Sequence, residues 1–99
     1  MDFKVVFTDT FCRDLEVILG RISADDPTAA NKFGDRVIDM CEALNFFPER
    51  YPKVRLRTNI RRLVVGKYYK VFYRIKHGKR AVEILRLWDA RRGSTPHFS

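Results

Sequence analysis

The chain has 99 residues, 45% of them hydrophobic and 13% aromatic, with 20 Lys and Arg against 12 Asp and Glu for a formal net charge of +8. That length supports one core burying roughly 60–65% of the surface the unfolded chain exposes, and the composition excludes a disordered chain. No stretch approaches the ~20 apolar residues of a membrane span, and no signal-peptide pattern opens the chain, so a cytoplasmic protein with a single domain over residues 1–99 is expected.

Phe3 to Thr8 alternates Phe3, Val5 and Phe7 with Lys4, Val6 and Thr8, the period of a strand. Thr8 or Asp9 is placed to cap a helix whose apolar stripe is Phe11, Leu15, Ile18, Leu19 and Ile22. Asp25-Asp26-Pro27 breaks that pattern, and Asp26 as cap with Pro27 as first residue starts a second helix, with Ala30, Phe33, Val37, Met40, Cys41 and Leu44 on one side. This helix is expected to end before Pro48, because a residue preceding proline is pushed out of helical geometry. Gly20 and Gly34 lie inside the two helices, where close approach of the backbones would justify them.

The polar connection from Glu49 to Asn59 leads into three strands, IRRLVVG, YYKVFYRI and AVEILRLW. In the middle one, Tyr69, Val71, Tyr73 and Ile75 point one way, and Lys70, Phe72, Arg74 and Lys76 give the other face a basic character. His77-Gly78 reads as a tight turn with glycine at positive φ, and Val82 to Trp88, apolar on both faces, as a covered central strand. Charge follows the same division. Arg50 to Ser99 holds 15 basic residues and 2 acids, Glu83 and Asp89, whereas Met1 to Glu49 holds 5 basic and 10 acidic residues. A cationic sheet with a more acidic region behind it suits a polyanionic or acidic partner. Cys12 and Cys41 fall within helical patterns and read as reduced residues, and His77 and His97 have no second ligand at metal spacing, so neither a metal site nor a cofactor is expected.

The order strand, helix, helix, three strands carries a family resemblance. It rests on Asp14-Leu15, Asp26-Pro27 with Ala29, Ala30 and Phe33, Leu44, Phe47-Pro48-Glu49, Ile60-Arg61-Arg62-Leu63, Tyr69 to Ile75, and Val82-Glu83-Ile84-Leu85 leading into Ala90-Arg91-Arg92. From Phe3 to about Arg92 the chain resembles toxins of the RelE/ParE superfamily. The resemblance implies an α+β fold, β-α-α-β-β-β, with a helical hairpin packed on one face of a small antiparallel sheet. It also implies the toxic half of a type II toxin–antitoxin pair, neutralised by a cognate protein antitoxin. ParE-like members poison DNA gyrase without being nucleases, whereas RelE-like members cleave mRNA in the ribosomal A site, so the fold alone does not choose the chemistry.

Ribonucleolytic transesterification needs a base, phosphate-directed cations and an acid. The resemblance offers Arg61, Lys70, Arg91 and His97 as catalytic candidates, but Leu63 and Val64 stand where a further second-strand cation is wanted. Lys70 replaces an arginine with a point charge lacking its fork, and the terminal Tyr is missing. That incomplete set favours the gyrase-directed reading. Arg61, Arg62, Lys70, Arg74, Arg91 and Arg92 are the candidate target-binding residues, with the Arg91-Arg92 exit expected to be mobile and free of internal partners other than Asp14 or Glu16. Arg50, Arg55, Arg57, Phe46 and Phe47 are the candidate antitoxin contacts. The alternatives are a solvated basic sheet face and a non-toxic basic nucleic-acid-binding module.

Overall fold

The computed structural model describes residues 2–57 and 59–98, so Met1, Thr58 in the predicted connection and Ser99 at the end of the tail lie outside the described residues. Its elements are β1 (Lys4–Phe7), α1 (Asp9–Asp25), α2 (Pro27–Glu42), β2 (Ile60–Val65), β3 (Tyr69–Lys76) and β4 (Ala81–Asp89). Short 3-10 turns occupy Ala43–Asn45, Pro48–Arg50, His77–Lys79 and Ala90–Arg92.

Local chemistry starts both helices where the sequence places them. The Thr8 hydroxyl accepts from the Phe11 N–H (3.2 Å) and donates to the Ile84 carbonyl (2.7 Å), so one side chain caps α1 and ties it to β4. Asp26 caps α2 by accepting from the Ala29 N–H (3.1 Å), and Pro27 takes a position where its missing N–H costs nothing. The α-helix stops at Glu42, earlier than proximity to Pro48 requires, and Phe47 sits in the left-handed region at φ 50°.

The sheet order is β1-β4-β3-β2. β2, β3 and β4 form the expected antiparallel meander, but β1 runs parallel to β4, with Lys4 opposite Ala81 and Phe7 opposite Ile84, so the all-antiparallel expectation is corrected. The helical hairpin carries the chain away from β1 and returns it through β2 and β3, leaving the free edge of β4 as β1's partner; period-2 alternation encodes which residues face inward, not strand direction. The β3–β4 connection also differs from expectation. A 3-10 turn at His77–Lys79 delays the left-handed residue to Arg80 (φ 49°), and Gly78 is not at positive φ.

The inner face of the sheet buries Leu63, Val71, Tyr73, Val82, Ile84 and Leu87 against Phe11 and Ile18 of α1, Val37 and Cys41 of α2, and Leu44. The outer face is not simply basic. Ile60, Phe72, Leu85 and Trp88 form a second apolar cluster there, with Val54 from the connection and Phe98 from the tail packed on it. A register shift at Phe72/Tyr73, where Phe72 faces Arg86 and Tyr73 faces Ile84, skips Leu85 and turns it to this side. Beyond the end of β1, Asp14 completes the β4 edge: its carboxylate accepts from the Leu87 N–H (3.1 Å) and from both Nε (2.7 Å) and Nη2 (3.0 Å) of Arg86.

Candidate functional site

Because neighbouring strand residues point to opposite faces, Arg61 and Arg62 cannot act together. Arg61 lies on the helix side, where its Nη1 donates to the carbonyls of Glu49 (3.0 Å) and Tyr51 (2.7 Å). Arg62, opposite Phe72, belongs to the outer face with Lys70 and Arg74. Arg74 is already engaged, its Nε (3.1 Å) and Nη2 (3.0 Å) both directed at one oxygen of Glu83. Arg62 and Lys70 are half-buried and have no carboxylate within ion-pair distance among the described residues. Lys70 has Trp88 on one side and Val64 on the other in the sheet register, and Val64 is 51% exposed. An apolar side chain thus stands next to Lys70 where a second phosphate-directed cation would be needed.

The exit of β4 departs from the expected mobile, unpartnered segment. Asp89, the one buried charged residue among those described, caps a 3-10 turn by accepting from the Arg91 N–H (3.0 Å) and grips Arg91 through Nε (2.9 Å) and Nη2 (2.7 Å). These bonds hold the Asp89 carboxyl below the usual carboxylate range and push the Arg91 guanidinium up. The Arg91 guanidinium also lies 4.4 Å from the centre of the Tyr68 ring, and that of Arg92 lies 4.2 Å from the Trp88 ring. Neither arginine pairs with Asp14 or Glu16, because Arg86 occupies Asp14. The tail then folds back over the outer face. Trp88 Nε1 donates to the Ser94 carbonyl (2.7 Å), Arg86 Nη1 to the His97 carbonyl (3.0 Å), and the Phe98 and Phe72 rings meet at 5.2 Å. His97 therefore reaches this face through its backbone, and its side chain is exposed.

The candidate antitoxin contacts are divided between the end of the helical half and the connection to β2. Phe46 and Phe47 are 62% and 59% exposed at the end of the helical half. Arg50 donates to the Ala43 carbonyl (2.6 Å), Arg55 is exposed on the connection, and Arg57 sits over the Phe98 ring at 5.6 Å. Residue-level reading missed the tail as a cover for the sheet and the arginine stacks on Tyr68 and Trp88. The available signal was Phe98, an aromatic in an otherwise polar tail. Among the described residues no three His, Cys, Asp or Glu side chains come together, and no helix is long and apolar enough to cross a membrane.

Comparison with known proteins places this arrangement. The chain is similar in structure to the toxin–antitoxin complex RelBE2 from Mycobacterium tuberculosis, with 25% identity and a TM-score of 0.68 over 90% of this chain and 92% of that one. It is also similar in fold to the chromosomal ParDE toxin–antitoxin system from P. aeruginosa, with 19% identity and a TM-score of 0.75 over 88% and 95% of the two chains. No curated protein sequence matches it. The family described as the ParE toxin of the type II toxin–antitoxin system, parDE, matches residues 5–93, and the chain belongs to that family.

Proposed function

We propose that this protein is the toxin of a type II toxin–antitoxin pair, that a cognate protein antitoxin neutralises it, and that it arrests growth by acting on DNA gyrase in the cytoplasm. The observation carrying the choice of target is the outer sheet face. The apolar cluster of Ile60, Phe72, Leu85 and Trp88 at its centre is buried with Val54 and Phe98 packed on it, and exposed Val64 stands beside Lys70 in place of a second cation. An exposed apolar side chain beside cations that have no converging partners suits a protein partner better than in-line cleavage of RNA, which needs converging cations with an acid and a base. Arg62, Lys70, Arg91 and Arg92 are the proposed target contacts, and Phe46, Phe47, Arg50, Arg55 and Arg57 the proposed antitoxin contacts. Arg74 enters the target surface only by leaving Glu83, and Arg61, on the helix side of the sheet, lies outside it.

The test has two stages. Inducible expression is expected to arrest growth, with relief when the neighbouring gene is co-expressed. Purified protein is then expected to inhibit supercoiling by gyrase or stabilise its cleaved complexes while leaving ribosome-bound mRNA intact. Cleavage of A-site mRNA with gyrase unaffected would replace this reading with the ribonuclease one and make Arg61, Lys70, Arg91 and His97 the residues to mutate first. Harmless expression would favour a non-toxic binding module.

A further inference from the structure

On the helix side of the sheet, away from the outer face, a surface pocket of about 210 Å³ is lined by Lys53, Asn59, Arg61, Ile75 and His77. All four polar side chains there can donate hydrogen bonds, and none is an acid. Lys53 and Arg61 are opposite residues of an antiparallel bridge, which sets their side chains next to each other on one face. Like charges so placed destabilise a strand pair. The bridge is nevertheless held on both sides, by the Val54 N–H on the Ile60 carbonyl (2.7 Å) and the Arg62 N–H on the Pro52 carbonyl (3.1 Å).

Nothing among the described residues neutralises this pair. Arg61 is half-buried and spends Nη1 on two carbonyls, while its Nε and Nη2 have no acceptor among the described residues. Neither cation has a carboxylate within ion-pair distance among the described residues. Tyr73, directly across from Arg61 in the β2–β3 register, donates its hydroxyl proton to the Pro48 carbonyl (2.6 Å) and supplies no negative charge. His77 stands at the rim with its ring edge-on to Phe3, centroids 6.1 Å apart.

We propose that this pocket is an oxyanion site taking a phosphate dianion, either inorganic phosphate or the terminal phosphate of a nucleotide. A phosphate monoester carries close to two negative charges at neutral pH and balances the two fixed cations, whereas a single carboxylate leaves one uncompensated. The free Nε and Nη2 of Arg61 form the fork that binds two phosphate oxygens at once, and Lys53, Asn59 and His77 supply donors for the others. The site is independent of the proposed gyrase surface, since Arg62 and Lys70 point to the opposite face.

Isotope-labelled protein titrated with sodium phosphate at constant ionic strength is expected to show saturable shifts of the Lys53, Asn59, Arg61 and His77 amide signals. Acetate at the same ionic strength is expected to leave them in place. Lys53→Glu does not touch the carbonyl bonds of Arg61, so a variant with unchanged melting temperature is expected to bind phosphate about tenfold more weakly or not at all; His77→Gln is the second probe. Adenosine monophosphate binding as tightly as inorganic phosphate identifies the phosphoryl group as the whole ligand, and tighter binding identifies a nucleotide; both support the site. No saturable shift, shifts confined to Arg62 and Lys70, acetate binding equal to phosphate, or binding unchanged in both variants would overturn it.

Discussion

Tyr73 has the most demanding position of any single residue in the sheet, fully buried with its hydroxyl 2.6 Å from the carbonyl of Pro48, itself buried. Tyr73→Phe keeps the ring and strands that carbonyl, at an expected cost of about 1–2 kcal/mol, measurable by urea denaturation. Burial pushes the Tyr73 hydroxyl up to about 12, and burial together with Glu42 pushes the Cys41 thiol up to about 12. The unfolded chain therefore releases these protons first, so the stability they contribute is complete below their ordinary values of 9.0 and 10.0 and is lost as pH climbs toward about 12. Stability followed by circular dichroism is expected to fall through that window, and less steeply in Tyr73→Phe. Asp89 works in the opposite direction. Its hydrogen bonds from Arg91 hold the carboxyl low, so its contribution is present above the ordinary carboxylate range and disappears as pH falls through the depressed folded value. Asp89→Asn is expected to flatten the acid side of the stability profile; an unchanged acid limb would mean that the Arg91 bonds carry no net stability.

At the level of elements, α1 contains a correctable weakness. Gly20 lies in the helix interior, and a Cβ added there meets nothing within 4 Å, so close helix approach does not account for it. Gly20→Ala is expected to stabilise the protein by about 0.5–1 kcal/mol, visible as a rise of several degrees in Tm. The exit turn after β4 needs a more careful substitution. Removing Arg91 leaves the buried Asp89 carboxylate alone, whereas Arg92 stacks on Trp88 with no carboxylate partner among the described residues, so Arg92→Ala separates function from folding. It is expected to reduce growth arrest with little change in Tm; full toxicity would remove Arg92 from the target surface. Helix starts were legible in Thr8 and Asp26-Pro27 because capping is local chemistry, and the three meander strands were legible because alternation is local too. The direction of β1, the Leu85 shift and the tail's return over Phe72 depend on contacts between distant segments, which no local pattern records. The candidate site was legible as a set of cations but not as an arrangement. A run such as Arg61-Arg62 does not show that its first member is held by the carbonyls of Glu49 and Tyr51 while its second faces outward.

For the molecule as a whole, the inner core depends on residues from both ends of the chain. Thr8 and Ile84 are 76 positions apart yet joined by a 2.7 Å hydrogen bond, and β4 is the central strand between β1 and β3. A chain ending at Lys79 is expected to show no cooperative thermal transition, because both the Phe11 cluster and the meander lose the strand they share. Sheets closed by such distant pairings fold slowly relative to helical bundles of the same size. Translation adds a further consequence of the parallel β1–β4 pairing. A nascent chain delivers β1 and both helices first and leaves β1 without its strand partner until residues 81–84 have been made. A copy released before residue 81, by a stall or a premature stop, lacks the central strand and the arginine-bearing exit alike. Such a fragment cannot complete the sheet, so the interval before β4 is made is one in which the protein exists in part but cannot yet act.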